Sequence, residues 1–286
     1  MWLILALSCA VCTAAADVLT KRASNAAFPD HVLALARWVY ALPLLALALP
    51  FGAVTPPPPG FYLLVLVMAP LEIAALLLYI RAIASSPLSI TVPFLSFTPA
   101  LLLLTGAIFL GERVPPAGVA GVLLVAAGAY CMNIGDLRRG VLAPIRAIAR
   151  EKGPRYVLAT AAIYAVTSAL GKKAVLMAGP FTFALFYLAA LTLVLAPALV
   201  VARRPLRPIL SGWRTLAPIG MVLGLATAAQ FASYTMAPVA YAIAVKRTSM
   251  VMGVVAGRFL FAEGRFYERA FGSALMLAGV VTIAMA

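Results

Sequence analysis

Runs of apolar residues, each near the length that crosses a bilayer, follow one another along this whole chain. They fall near Trp2–Leu19, His31–Pro50, Phe61–Ala82, Pro87–Leu110 and Ala117–Met132. After a polar stretch come Tyr156–Leu176, Phe181–Ala202, Trp213–Met236, Val239–Phe261 and Ala270–Ala286. A helix needs about 20 such residues to span the hydrocarbon, so the pattern predicts an all-α integral membrane protein of about ten transmembrane helices. Composition agrees, with 65% of the 286 residues hydrophobic, 10% charged and a mean hydropathy of +1.07. Soluble domains hold about 45–50% apolar residues, so lipid rather than water must be the solvent here.

A shift of 151 residues lays the second half of the chain on the first without a gap. Leu19, Lys21 and Ala23 fall on Leu170, Lys172 and Ala174; Pro29 falls on Pro180 and Pro87 on Pro238. Gly106 and Glu112 fall on Gly257 and Glu263, and Gly121, Leu124, Ala127 and Gly128 on Gly272, Leu275, Ala278 and Gly279. The chain therefore reads as a tandem duplication, with five-helix repeats at 1–135 and 155–286 and a basic connector at 136–154. Five spans are an odd number, so the second repeat should enter the membrane in the opposite direction. Inverted repeats are a recurring architecture of secondary transporters, with the substrate held near the midplane between the halves. Duplication of a non-transporting scaffold is the plainer alternative.

The net charge of +14 would suggest nucleic acid in a soluble protein, but here the basic residues cluster in the connections. They read as topology determinants facing anionic lipid, and no nucleic-acid partner is expected. The odd-numbered connections carry fifteen of the 22 Lys and Arg, and the even-numbered ones only Arg113, Lys172 and Lys173. The positive-inside rule then puts the odd connections in the cytoplasm and both termini outside the cell (inner or plasma) membrane. In the connector, Val141, Leu142, Ile145 and Ile148 share one helical face and Arg139, Arg146 and Arg150 another, as in an interfacial helix. A solvated linker is the alternative. Cys9, Cys12 and Cys131 form no disulfide framework and read as small helix-packing residues. A single histidine, His31, excludes a His-rich metal site, and no cofactor is expected.

Ionisable side chains within the hydrocarbon are costly, by at least about 2.5–3.5 kcal/mol on insertion scales, and mark function by default. Arg37 lies in the second span, Glu72 near the middle of the third, and Lys246 and Arg247 together in the ninth. Asp17 and Arg258 sit close enough to helix ends to snorkel. Glu72 has three roles open to it: counter-ion to a buried cation, proton carrier, or anchor for a cationic substrate. Neighbours on a helix point about 100° apart, so one carboxylate cannot easily neutralise both Lys246 and Arg247. With Arg37 the deep charges are three positive against one negative, which favours an anion, and arginine offers the fork that fits phosphate or carboxylate. The competing reading pairs these cations with Glu72, Asp17 and free backbone carbonyls. Polar groups able to line a cavity include Tyr40 and Trp38, Thr91, Ser96 and Thr98, Tyr164, Thr167 and Ser168, and Gln230, Ser233 and Tyr234. Pro93 and Pro99 can kink the fourth span and free carbonyls. Gly220/Gly224 and Gly253/Gly257 are pairs that allow close helix approach.

The order and spacing of these features resemble the drug/metabolite transporter superfamily, in particular proteins made of two EamA-type repeats. The residues that carry the resemblance are Lys21, Arg37, Pro99, Gly111-Glu112, Gly121 and Gly128, then Ala262-Glu263, Gly272 and Gly279. Met250 stands where a second copy of Pro99 would be. Val245-Lys246-Arg247-Thr248-Ser249 is similar to the ninth-helix Lys-Arg pair of plastid phosphate translocators, where the pair binds the substrate phosphate. The resemblance implies a transporter rather than an enzyme, with an anionic head group on Lys246 and Arg247. The site expected is therefore Lys246, Arg247, Arg37, Glu72, Tyr40, Gln230 and Tyr234. Its partners would be a small-molecule substrate, the lipid bilayer, and a coupling proton or counter-substrate. Export of amino acids or amphipathic drugs is the alternative, since many EamA-type proteins are assigned those roles.

Overall fold

In a computed structural model the chain is described over residues 1–26, 28–48, 56–85, 92–133, 151–261 and 266–286, with no strand among them. The first repeat contributes α1 (Trp2–Asn25), α2 (Asp30–Val39), α3 (Leu42–Ala48) and α4 (Pro59–Ser85). A 3₁₀ helix (Val92–Phe97), α5 (Thr98–Leu110) and α6 (Pro116–Asn133) complete it. The second contributes α7 (Lys152–Ala178), α8 (Pro180–Val201), α9 (Arg207–Ser211), α10 (Trp213–Tyr234), α11 (Val239–Lys246), α12 (Ser249–Phe261) and α13 (Phe266–Met285). Six helical stretches are long and apolar enough to cross a membrane among the described residues, with shorter apolar helices at Phe94–Leu110, Pro116–Met132 and Phe271–Met285. The interfacial helix expected at 140–153 falls almost wholly outside the described residues, as do Pro87, Thr91 and Ala262-Glu263.

Two spans expected as continuous are interrupted. The second divides into α2 and α3 at Tyr40 and Ala41, because Pro43 has no N–H to give the carbonyl of Val39. The ninth divides into α11 and α12 at Arg247 and Thr248. The duplication is visible in these boundaries: Thr98 and Leu110, the ends of α5, fall under the 151-residue shift on Ser249 and Phe261, the ends of α12.

Two compact units divide the chain, and neither coincides with a repeat. The first comprises Met1–Ala69 and Gly171–Met236, the second Pro70–Leu170 and Ala237–Ala286, so α4 and α7 each contribute to both. In the first unit α1 packs along α10. The buried face of α1 is Ala6, Cys9, Ala10, Ala14, Ala16 and Ala23, all small, as expected where helix association relies on close backbone approach rather than on exclusion of water. Large apolar side chains such as Leu66 and Leu193, 70% and 73% exposed, point outward, where the solvent is lipid.

In the second unit α6 packs along α13, the fifth helices of the two repeats. A Cβ added at Gly128 would stand 2.6 Å from the carbonyl oxygen of Gly272, and one at Gly121 2.9 Å from that of Gly279. Contacts that pair 121 with 279 and 128 with 272 run in opposite senses, so the two equivalent helices are antiparallel. That is the geometry of an inverted repeat, and the four glycines matched by the shift are the residues that allow it. Gly220 and Gly224 likewise admit Tyr40 and Ala41. Gly253 meets nothing within 4 Å among the described residues, so it makes no such approach.

Candidate functional site

Lys246 ends α11, where a cation faces the unsatisfied carbonyls of a helix C-terminus. Arg247 follows as its cap residue, with φ −61° and ψ −17°. The backbone tightens there: Thr248 N donates to Val245 O and Met250 N to Arg247 O, both at 3.0 Å. The Thr248 hydroxyl donates to Val245 O at 2.7 Å, and the residue is 3% exposed. Discontinuous helices of this kind are where membrane transporters place polar backbone and ionisable side chains.

The equivalent interruption in the fourth span supplies a partner. Pro99 lacks the N–H that would bond the carbonyl of Leu95 four residues earlier. The freed oxygen accepts the Thr98 hydroxyl at 2.7 Å and Arg247 Nη2 at 3.3 Å. Leu95 is the residue on which Lys246 falls under the repeat shift, so the two breaks meet. Phe94 and Phe97 stack with ring centroids 6.0 Å apart, with Tyr130 of α6 edge-on to both.

Glu72 lies midway along α4, and the Thr167 hydroxyl of α7 donates to its Oε2 at 3.1 Å. One turn before Thr167, Tyr164 sits close enough to Glu72, Tyr79 and Arg247 to feel the field of each. Buried Thr160 bonds the carbonyls of Ala75 and Tyr156, tying α7 to α4. The second unit thus holds a carboxylate, a guanidinium, two tyrosines and a threonine.

The remaining expected site residues belong to the first unit. Arg37 Nη2 is 2.8 Å from Asp17 Oδ1, an ion pair between α1 and α2, while its Nε is buried without a hydrogen-bond partner among the described residues. Asp17, close enough to a helix end to snorkel, thus pairs with Arg37, as the competing reading of the deep cations had it. The Tyr40 hydroxyl donates to Ile209 O at 2.6 Å and anchors α9. Gln230 Nε2 donates to the Tyr234 hydroxyl at 2.7 Å, and the thiol of Cys9 reaches Gln230 Oε1 at 3.8 Å. Glu72, Lys246 and Arg247 thus stand in one unit and Arg37, Tyr40, Gln230 and Tyr234 in the other.

Glu112 has a role that sequence reasoning gave only as a family signature. Gly111 closes α5 in the left-handed region at φ +67°, and the next carboxylate accepts the N–H of Val239 at 3.1 and 3.2 Å. It caps the first turn of α11, the half-helix that leads to Lys246 and Arg247. Lys172, read as a connection residue, is buried within the last turns of α7.

A model of the EamA-like transporter family matches residues 1–134 and 152–285. A solved crystal structure superposes with a TM-score of 0.74 at 18% identity, covering 99% of this chain and 96% of its own. At that identity the likeness speaks for the fold. No curated protein matches the sequence.

Proposed function

This chain is a member of the EamA-like transporter family of membrane proteins, and we propose that it moves a small organic anion across the cell membrane by alternating access. The substrate carries a phosphate or carboxylate, and both termini lie outside, as the Lys/Arg bias requires. One observation carries the reading. Arg247 sits at a helix break inside the membrane, and among the described residues the hydrogen-bond partner of its guanidinium is a single backbone carbonyl rather than a carboxylate. A guanidinium has five N–H donors, so most of its capacity is open to a ligand. Lys246 beside it adds a second cation, and Glu72 serves as proton carrier or ion-pair partner across Tyr164. The same pairing of cation and carboxylate would suit a zwitterionic amino acid, which is the second reading.

The test is melting temperature of purified protein with phosphorylated metabolites, carboxylates and amino acids, for wild type, Arg247→Ala, Arg247→Lys and Glu72→Gln. Arg247→Ala should weaken binding of the stabilising anion by about 2–5 kcal/mol, the cost of stranding a buried charged partner. Lysine should restore only part, because it keeps the charge and loses the fork. If amino acids alone stabilise the protein, the second reading replaces the first. A wild type that no anion stabilises, together with an Arg247→Ala protein that melts early without ligand, would reduce Arg247 to a structural tie.

A further inference from the structure

We infer that the end of the first unit built from the α1–α2 and α8–α10 turns is a docking site for the headgroup phosphate of an anionic phospholipid. The two turns are held together by their own contacts. His31 Nε2 donates to the carbonyl of Pro205 at 3.1 Å, the Phe28 ring presses on Gly212, and Ala23, Val32, Ile209 and Leu216 share one buried cluster. The surface so formed is strongly cationic. Arg203, Arg204, Arg207 and Arg214 are all exposed on the second turn, Lys21 and Arg22 stand on the first, and Asp30 is the one acidic residue in either.

A second feature points the same way. The chain leaves α8 through a Schellman turn, in which Arg204 N donates to Leu199 O and Arg203 N to Val200 O, both at 2.9 Å. The residue at the left-handed position of that turn is ordinarily glycine. Here it is Arg203, at φ +53°, the one non-glycine residue with positive φ among those described. Backbone strain of this kind clusters at ligand-binding sites.

Apolar neighbours decide between a lipid and a soluble anion. Val201, Leu210 and Trp213 are 83%, 79% and 55% exposed beside the arginines, and the Arg214 guanidinium lies 5.8 Å over the Trp213 ring. A free phosphate leaves those side chains in water, whereas a phospholipid covers them with its glycerol and acyl region while its phosphate meets the guanidinium groups.

The experiment takes the purified full chain in detergent and adds phosphatidylglycerol, phosphatidylcholine or soluble glycerol phosphate, reading melting temperature and bound lipid by native mass spectrometry. Phosphatidylglycerol should bind and raise the melting temperature and phosphatidylcholine should not. Any response to glycerol phosphate belongs to the Arg247 site and should be the same in wild type and in the Arg204→Gln/Arg207→Gln pair. The Arg204→Gln/Arg207→Gln pair should weaken phosphatidylglycerol binding by about fivefold per arginine removed. Arg203→Gly should act in opposite directions, raising the lipid-free melting temperature by relieving the left-handed backbone while weakening lipid binding by a similar factor. Equal response to phosphatidylcholine, or a glycerol phosphate response lost in the Arg204→Gln/Arg207→Gln pair, would overturn the site. So would an Arg203→Gly protein that binds phosphatidylglycerol as wild type does, or that melts earlier without lipid.

Discussion

The fourth and ninth spans are one helix made twice, interrupted at the same register by different means. In the fourth, Pro99 withholds an N–H and leaves the Leu95 carbonyl to be satisfied from outside its own helix. In the ninth, Met250 stands at the equivalent place and does donate, to Arg247 O, so the turn at Arg247 and Thr248 is made by hydrogen bonds that shorten their span. The backbone of the ancestral repeat was kept while its chemistry diverged. One copy offers an acceptor and the other a guanidinium, and the bond between them at 3.3 Å exists because the copies differ. The α6–α13 seam shows the opposite behaviour: the same glycines serve in both copies because both backbones need the room.

If the seam is the symmetric part, Gly128→Ala and Gly272→Ala should destabilise alike, by about 1–3 kcal/mol each from overpacking against backbone. Melting of the two single mutants would check this, and a large inequality would break the comparison. A smaller effect is expected at the divergent break. Pro99→Ala returns an N–H to Leu95 O, where it competes with Arg247. A backbone bond then replaces a charged one, for a net change of about 1 kcal/mol in anion affinity, measurable by the shift in ligand-induced melting. Unchanged affinity would mean the carbonyl does not position the guanidinium. The smallest effect is at Glu112→Gln, which keeps an acceptor for Val239 N and removes only the charge at the α11 N-terminus, worth about 0.5 kcal/mol of stability. Denaturation of the purified protein at low and high salt would resolve it, with the difference vanishing at high salt.

Most of the architecture was legible because lipid imposes a coarse rule: apolar runs of one length, broken by Pro, Gly and charge. The shift of 151 was legible for the same reason, since Gly128 and Gly272 meet backbone that tolerates no side chain. The interruption at Arg247 carried no such signal, because Val245 to Met250 contain neither Pro nor Gly and the tightening uses ordinary N–H groups. The Pro43 break could have been read from Pro43 alone. Pairing was the harder matter. Asp17 and Arg37 lie on different helices, and only the packed fold brings their charges to 2.8 Å. Gln230 and Tyr234, one turn apart on α10, could have been expected to satisfy each other, and they do.

The antiparallel glycine seam has a consequence for how such a chain could arise. Each half of the seam is matched by its own duplicate, so the contact is self-complementary in the manner of a two-fold homodimer interface. Nothing in it requires the two helices to share a polypeptide. A five-helix half inserted in either direction would present the same glycines to a copy inserted the other way, and a covalent link would add only the certainty that the partner is present and opposed. Once linked, each copy was free to change side chains that a homodimer must change in pairs, and a lone guanidinium facing a lone carbonyl is a product of that freedom.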